Sequence, residues 1–189
     1  MPTALSRPAI VVAVGLPVLL AIGVAVVGLI GGPASTPPAP SAAAADRTGP
    51  LPLVPVDAPD SGSPACAALL KALPAQVTED GVRLPRRALR DPAPPATVAW
   101  GDAAHDPVVL RCGLGRPPEL VQTSPLIGVS GVQWLQINGE NGSATSYVVD
   151  RSVYVALTTT GDTGSGPVQD VSAAVAAALP TAPIRPNTG

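Results

Sequence analysis

Residues Ala9 to Ile30, AIVVAVGLPVLLAIGVAVVGLI, run for twenty-two positions without a single charge. A globular helix needs a polar face to turn toward water, and this stretch has none. As an α-helix it would extend about 33 Å at about 1.5 Å per residue, enough to cross the roughly 30 Å hydrocarbon core of a bilayer. Pro17 and Gly23 do not oppose that reading, because membrane helices tolerate both. The alternative is a cleaved signal peptide, whose apolar region is usually about 7 to 15 residues long and ends at a small-residue site. Ala42 to Ala45 offers such a site, but well beyond the apolar run, so an uncleaved anchor at 9–30 is the expectation. Arg7 and the α-amino group precede the span, and the next basic residue, Arg47, stands beside Asp46. The excess of positive charge on the N-terminal side keeps residues 1–8 cytoplasmic and sends the rest across. The expected protein is single-pass in the cell membrane, touching the lipid bilayer through Ala9 to Ile30, with its C-terminal domain extracytoplasmic.

Of the chain's 189 residues, those left after the anchor suit one domain rather than two. A net charge of −2 provides no field to recruit nucleic acid. Lys71 is the sole lysine against ten arginines, phenylalanine is absent, and Ala, Pro and Gly abound. That bias fits a GC-rich genome, as in actinobacteria. Cys66 and Cys112 are the only cysteines. Outside the cytoplasm such a pair is expected to form a structural disulfide. A metal site built on them needs two more ligands, which the single histidine cannot supply. No metal or cofactor is expected.

Residues 31–63 are rich in proline and alanine with neither helical nor strand period, and read as a disordered spacer of polyproline character. Ser63 then caps a helix opened by Pro64, with Cys66, Leu69, Leu70 and Leu73 on one face until Pro74 ends it. The run VRLPRRALR from Val82 to Arg90 reads as a solvated basic turn balanced by Glu79, Asp80 and Asp91. Strands follow around Val98 to Trp100, Val108 to Gly113, Val129 to Ile137, Ala144 to Val149 and Ser152 to Thr158, joined by GDAAHDP, NGENG and Asp150-Arg151. Pro167 opens a last helix with Val168, Val171, Val175 and Leu179 on one face, and 181–189 reads as a disordered tail. The expected fold class is α+β: an N-terminal transmembrane helix, a disordered linker, then a five-stranded antiparallel sheet with two helices on one face over residues 64–180.

Taken together, the anchor, CAALLKALP, TVAWGDAAHDPVVLRCGLGRP, GVQWL, DRSVYVAL and the C-terminal helix resemble the actinobacterial membrane proteins grouped under domain of unknown function 3515 (DUF3515). The AWG and LRCG elements around the two cysteines are the most specific part of the likeness. It implies an envelope protein and carries over no catalytic residue, because the family has no assigned activity.

The residues themselves offer little catalysis. His105, between Asp102 and Asp106, is the one general-base candidate, and neither GxSxG nor SxxK accompanies it. Glu79, Glu119 and Glu140 fall in turn-like or strand-edge contexts that do not suggest a glycosidase pair. Trp100, Trp134, Tyr147 and Tyr154 could line a groove, although a small domain without phenylalanine needs the tryptophans in its core. The expected function is therefore a non-enzymatic envelope interaction or accessory module, acting on a protein partner through an uncovered sheet face. A small-molecule or lipid-binding domain is the alternative, and a hydrolase using His105 a third reading.

Overall fold

A computed structural model describes residues 47, 49–160 and 163–188. The anchor expected at 9–30 lies outside the described residues, among which no helix is long and apolar enough to cross a membrane. The elements in chain order are α1 (Pro64–Ala72), β1 (Gln76–Glu79), β2 (Val82–Arg87), β3 (Thr97–Trp100), β4 (Val108–Leu114), β5 (Ile127–Val129), β6 (Val132–Asn138), a 3-10 turn (Glu140–Gly142), β7 (Ala144–Val148), β8 (Tyr154–Thr159) and α2 (Gly166–Ala178). The strands form one sheet in the order β1-β2-β3-β4-β8-β7-β6-β5, antiparallel at every pairing.

The sheet thus has eight strands where five were expected. The additional ones belong to two hairpins with two-residue turns. Asp80 and Gly81 (φ 45° and 83°) join β1 to β2, and Ser130 and Gly131 (φ 49° and 76°) join β5 to β6. Two successive residues with positive φ match the twist of the flanking strands, which is why Asp-Gly and Ser-Gly serve here. The stretch Val82 to Arg87 is accordingly a strand rather than a solvated turn. Its Arg86 donates from Nε and Nη2 to the carbonyls of Pro74 and Leu73, which the end of α1 leaves unpaired, and lies 5.0 Å from the centre of the Trp100 ring.

Both helices lie on one face of the sheet. Ser63 caps α1 as expected, its Oγ accepting from the Cys66 amide at 3.2 Å. The Cys66–Cys112 disulfide, with 5.7 Å between Cα atoms, fastens that helix to the middle of β4. Leu69, Leu73, Val171 and Val175 from the helices meet Trp100, Leu110, Trp134, Val155 and Leu157 from the sheet. Both tryptophans are core residues with satisfied indoles: Trp100 donates to the Pro74 carbonyl at 3.1 Å, and Trp134 to Ser172 Oγ at 2.9 Å.

The opposite face is partly covered, contrary to the open face expected. Leu120, Leu135 and Val149 form a second apolar cluster there, joined by Leu126, Tyr147, Tyr154 and Ile184. Ile184 belongs to the tail read as disordered. That tail is instead tied down: the Ala182 amide donates to Asp150 O, the Asn187 amide to Leu120 O, and the Asn187 side chain to the carbonyls of Pro117, Pro118 and Leu120. The second half of the supposed spacer also belongs to the domain. Leu51 pairs with Leu89, and Asp60 donates to Gly113 O. At Gly113 (φ 85°) any Cβ would collide with the Asp60 and Ser61 backbone, so glycine is what lets this segment cross the sheet.

Candidate functional site

His105, the sequence's base candidate, sits in a local turn. Asp102 Oδ1 accepts from the amides of Ala104 and His105 and lies 2.9 Å from His105 Nδ1. The imidazole therefore has a carboxylate partner, but no serine, threonine or cysteine hydroxyl or thiol is hydrogen-bonded to it among the described residues. Asp102 raises the histidine pKa through this hydrogen bond, and the same bond holds the Asp102 carboxyl below its usual range. A raised folded pKa adds stability at pH below the free histidine value, and that contribution is lost as pH rises through the folded value. The depressed carboxylate adds stability above its own free value, lost as pH falls through the folded one. The pair thus contributes at mildly acidic pH and fades on both sides. Proton NMR of this sole histidine should give a midpoint above about 6.5, returning to that value in Asp102→Asn. A midpoint at or below it in the parent chain would refute the pairing.

Recesses lie on both faces of the sheet. One, of about 550 Å³, opens on the helix side between the start of α2 and the ends of β5 to β8, with Trp134, Gln136, Asn138, Ser146, Thr159 and Ser165 in its lining. Its polar groups are uncharged. Another, of about 410 Å³, lies on the opposite face beside the second apolar cluster. Side chains alternate across a sheet, so the register shows which residues share the face on which this second groove lies, Arg111, Ala156, Tyr147, Thr145 and Thr158 being those that line it. Thr97, Arg111, Ala156, Tyr147 and Leu135 form one row across β3, β4, β8, β7 and β6. Val109, Thr158, Thr145 and Ile137 form the next, with the two threonine hydroxyls 3.1 Å apart. Val56, Asp57, Leu114, Arg116, Pro117 and Pro118 build the walls.

Arg111 distinguishes this groove. It is half-buried, its Nε is shut off from solvent without a hydrogen-bond partner, and it makes no ion pair among the described residues. Burial lowers its pKa, opposed by neighbouring Tyr147, yet a guanidinium stays charged in proteins. Burial, followed by the Glu119 carboxylate, pushes the Tyr147 phenol up, so it is neutral at neutral pH. Arg116 is engaged at the rim, donating from Nε to Tyr154 Oη at 3.2 Å and from Nη1 to Pro186 O at 3.4 Å. Among the described residues, no group of three or more His, Cys, Asp or Glu could hold a metal ion.

A family described as a protein of unknown function, DUF3515, matches residues 14–184. The chain belongs to that family. No curated protein and no solved structure matches it. The expected disulfide of Cys66 and Cys112 is present, and Trp100 lies in the core. Trp134 is in the core too, though its edge reaches the α2 cleft. Arg111 was not singled out in the sequence, although a lone charge inside the apolar strand VVLRCGL is a visible signal.

Proposed function

We propose that the protein is a membrane-anchored extracytoplasmic binding module without catalytic activity, and that the groove around Arg111 is its binding surface. One observation supports this above the rest: a half-buried guanidinium in the middle of a sheet, with a buried Nε and no ion pair among the described residues. Such a charge costs folding energy unless something offsets it. A ligand or partner that docks on the groove does so.

The anchor at Ala9 to Ile30 would hold the module at the membrane, where an envelope protein is within reach. The proposal is tested in native cells with the full chain carrying a photo-crosslinking residue in place of Thr158. A discrete adduct is expected there, lost when Arg111→Met is added. Arg111→Met alone should leave the disulfide formed and raise the thermal midpoint, because it removes an uncompensated charge. No adduct at position 158, or one indifferent to Arg111, would sink the reading.

The second reading, a small-molecule or lipid site between sheet and helices, is favoured by one feature, the cleft beside α2 that reaches Trp134. An adduct from a crosslinker at Gln136, with none at position 158, would transfer the proposal to that cleft.

A further inference from the structure

From the same groove we infer the chemical class of its occupant: a free carboxylate on a small, partly apolar molecule or chain terminus, held by Arg111 and Tyr147. This rests on the groove being the binding surface and adds what it binds.

Arg111 and Tyr147 stand on β4 and β7, either side of β8, and Ala156 is the residue between them in their row. Two strand spacings separate their backbones by about 10 Å. Ala156, only 3% exposed, is the small residue at the base of the recess between them. A guanidinium presents parallel N–H donors that match the two oxygens of a planar carboxylate. The Tyr147 hydroxyl, with no hydrogen-bond partner among the described residues, is a second donor from the other side. Both lie in the lining of one recess, where the Tyr147 ring also packs against the second apolar cluster.

The surroundings choose between anions. Asp57 lines the wall, and Glu119 acts electrostatically on Tyr147 from nearby. These two carboxylates oppose a second negative charge, so a monoanion fits better than a phosphate dianion. Val56, Leu114, Pro117 and Pro118 make the walls largely apolar, which suits a short hydrocarbon body behind the charged end.

The experiment uses the full chain in a neutral maltoside micelle, with NMR of the arginine side chains read during titration. The probes are butyrate and N-acetylvaline, each against its amide, and inorganic phosphate. Both carboxylates are expected to shift the Arg111 resonances saturably and their amides to leave them unmoved. Preference for N-acetylvaline points to a peptide terminus as the source, and preference for butyrate to a simple organic acid. Arg111→Met should weaken binding by about tenfold or more, a loss typical of a charged hydrogen bond. Arg111→Lys should also weaken it, because the charge is kept and the fork lost. Tyr147→Phe, which keeps the ring and so the packing, should weaken it a few-fold. Phosphate binding in preference to carboxylates would overturn the inference, as would carboxylate binding indifferent to both residues. If no anion moves the Arg111 signals while the adduct at position 158 persists, the carboxylate is refuted and the docking groove stands.

Discussion

Arg151→Ala should destabilise the domain by about 3 to 5 kcal/mol, the cost of leaving one member of a buried ion pair alone. Arg151 and Asp150 form the turn between β7 and β8, with side chains only 2% and 6% exposed. Arg151 Nη1 lies 2.7 Å from Asp150 Oδ2 and also donates to the Asp150 carbonyl, while Nη2 donates to Gly131 O in the β5–β6 turn. The Asp150 carbonyl in addition accepts from Ala182, and Arg151 bridges to Thr181, so the C-terminal tail hangs on the same point. Three segments far apart in sequence thus converge on one guanidinium and one carbonyl. Truncating Arg151 strands the Asp150 carboxylate in a dry site and releases the Gly131 carbonyl. The double change Asp150→Leu with Arg151→Met should cost less than Arg151→Ala alone, because it removes both charges together. Urea unfolding of the parent, Asp150→Leu, Arg151→Met and the double variant measures the coupling, with Arg151→Ala unfolded alongside them. A loss under about 1 kcal/mol for Arg151→Ala would show the pair to be solvated and incidental. Domains are stable by about 5 to 15 kcal/mol, so the expected loss is a large share of the whole.

That turn also shows where sequence reading succeeds and where it stops. Asp150-Arg151 was legible as a turn because strand-like YVV and VYVAL flank it. That the pair is buried was not, since two adjacent charges ordinarily mark a solvated loop, and only the tail and the β5–β6 turn folding over them exclude water. Local rules worked where local physics decides. Ser63-Pro64 starts α1, Cys66 and Leu69 fall on its buried face, and Val171 and Val175 do the same for α2. The missed hairpins were legible in principle, since Asp80-Gly81 and Ser130-Gly131 carry ordinary turn chemistry; the charged residues of β2 and the short β5 obscured the strand period. The tail and the segment 49–63 were not legible. Their proline content argues for disorder, while their order comes from hydrogen bonds to distant backbone, such as Asn187 to three carbonyls and Asp60 to Gly113. Arg111 lies between these cases. The charge inside VVLRCGL is plain, but which groups face it is decided only once β4, β7 and β8 are side by side.

Replacing Cys66 and Cys112 together by alanine should lower stability by about 4 kcal/mol. The bond closes a loop of 46 residues' separation, and in the chain-entropy model a loop of that size restrains the unfolded chain by about this amount. For an ordered domain of this size the thermal midpoint should then fall by about 12 to 20 °C. The location makes the loss hard to absorb. Helix α1 has nine residues, too few to persist alone, and its buried face consists of Cys66 and Leu69. Both sulfurs are fully buried, so dithiothreitol should leave the native bond intact until denaturant opens the core, and the reduced chain should refold only to the alanine variant's stability. A double-alanine variant as stable as the parent would remove the disulfide from the account of the fold. The same dependence bears on location, because a reducing cytosol keeps thiols apart and an oxidising exterior joins them. A domain that needs this bond would reach full stability only in an oxidising compartment, which agrees with the extracytoplasmic location proposed above. The groove at Arg111 follows from the same geometry: Cys112 is the next residue on β4 and faces the opposite side, so the staple that fixes α1 also holds the strand presenting the Arg111 guanidinium. Loss of the bond should therefore loosen the groove together with the helix, and the crosslink at position 158 should weaken in the double-alanine variant even below its lowered midpoint.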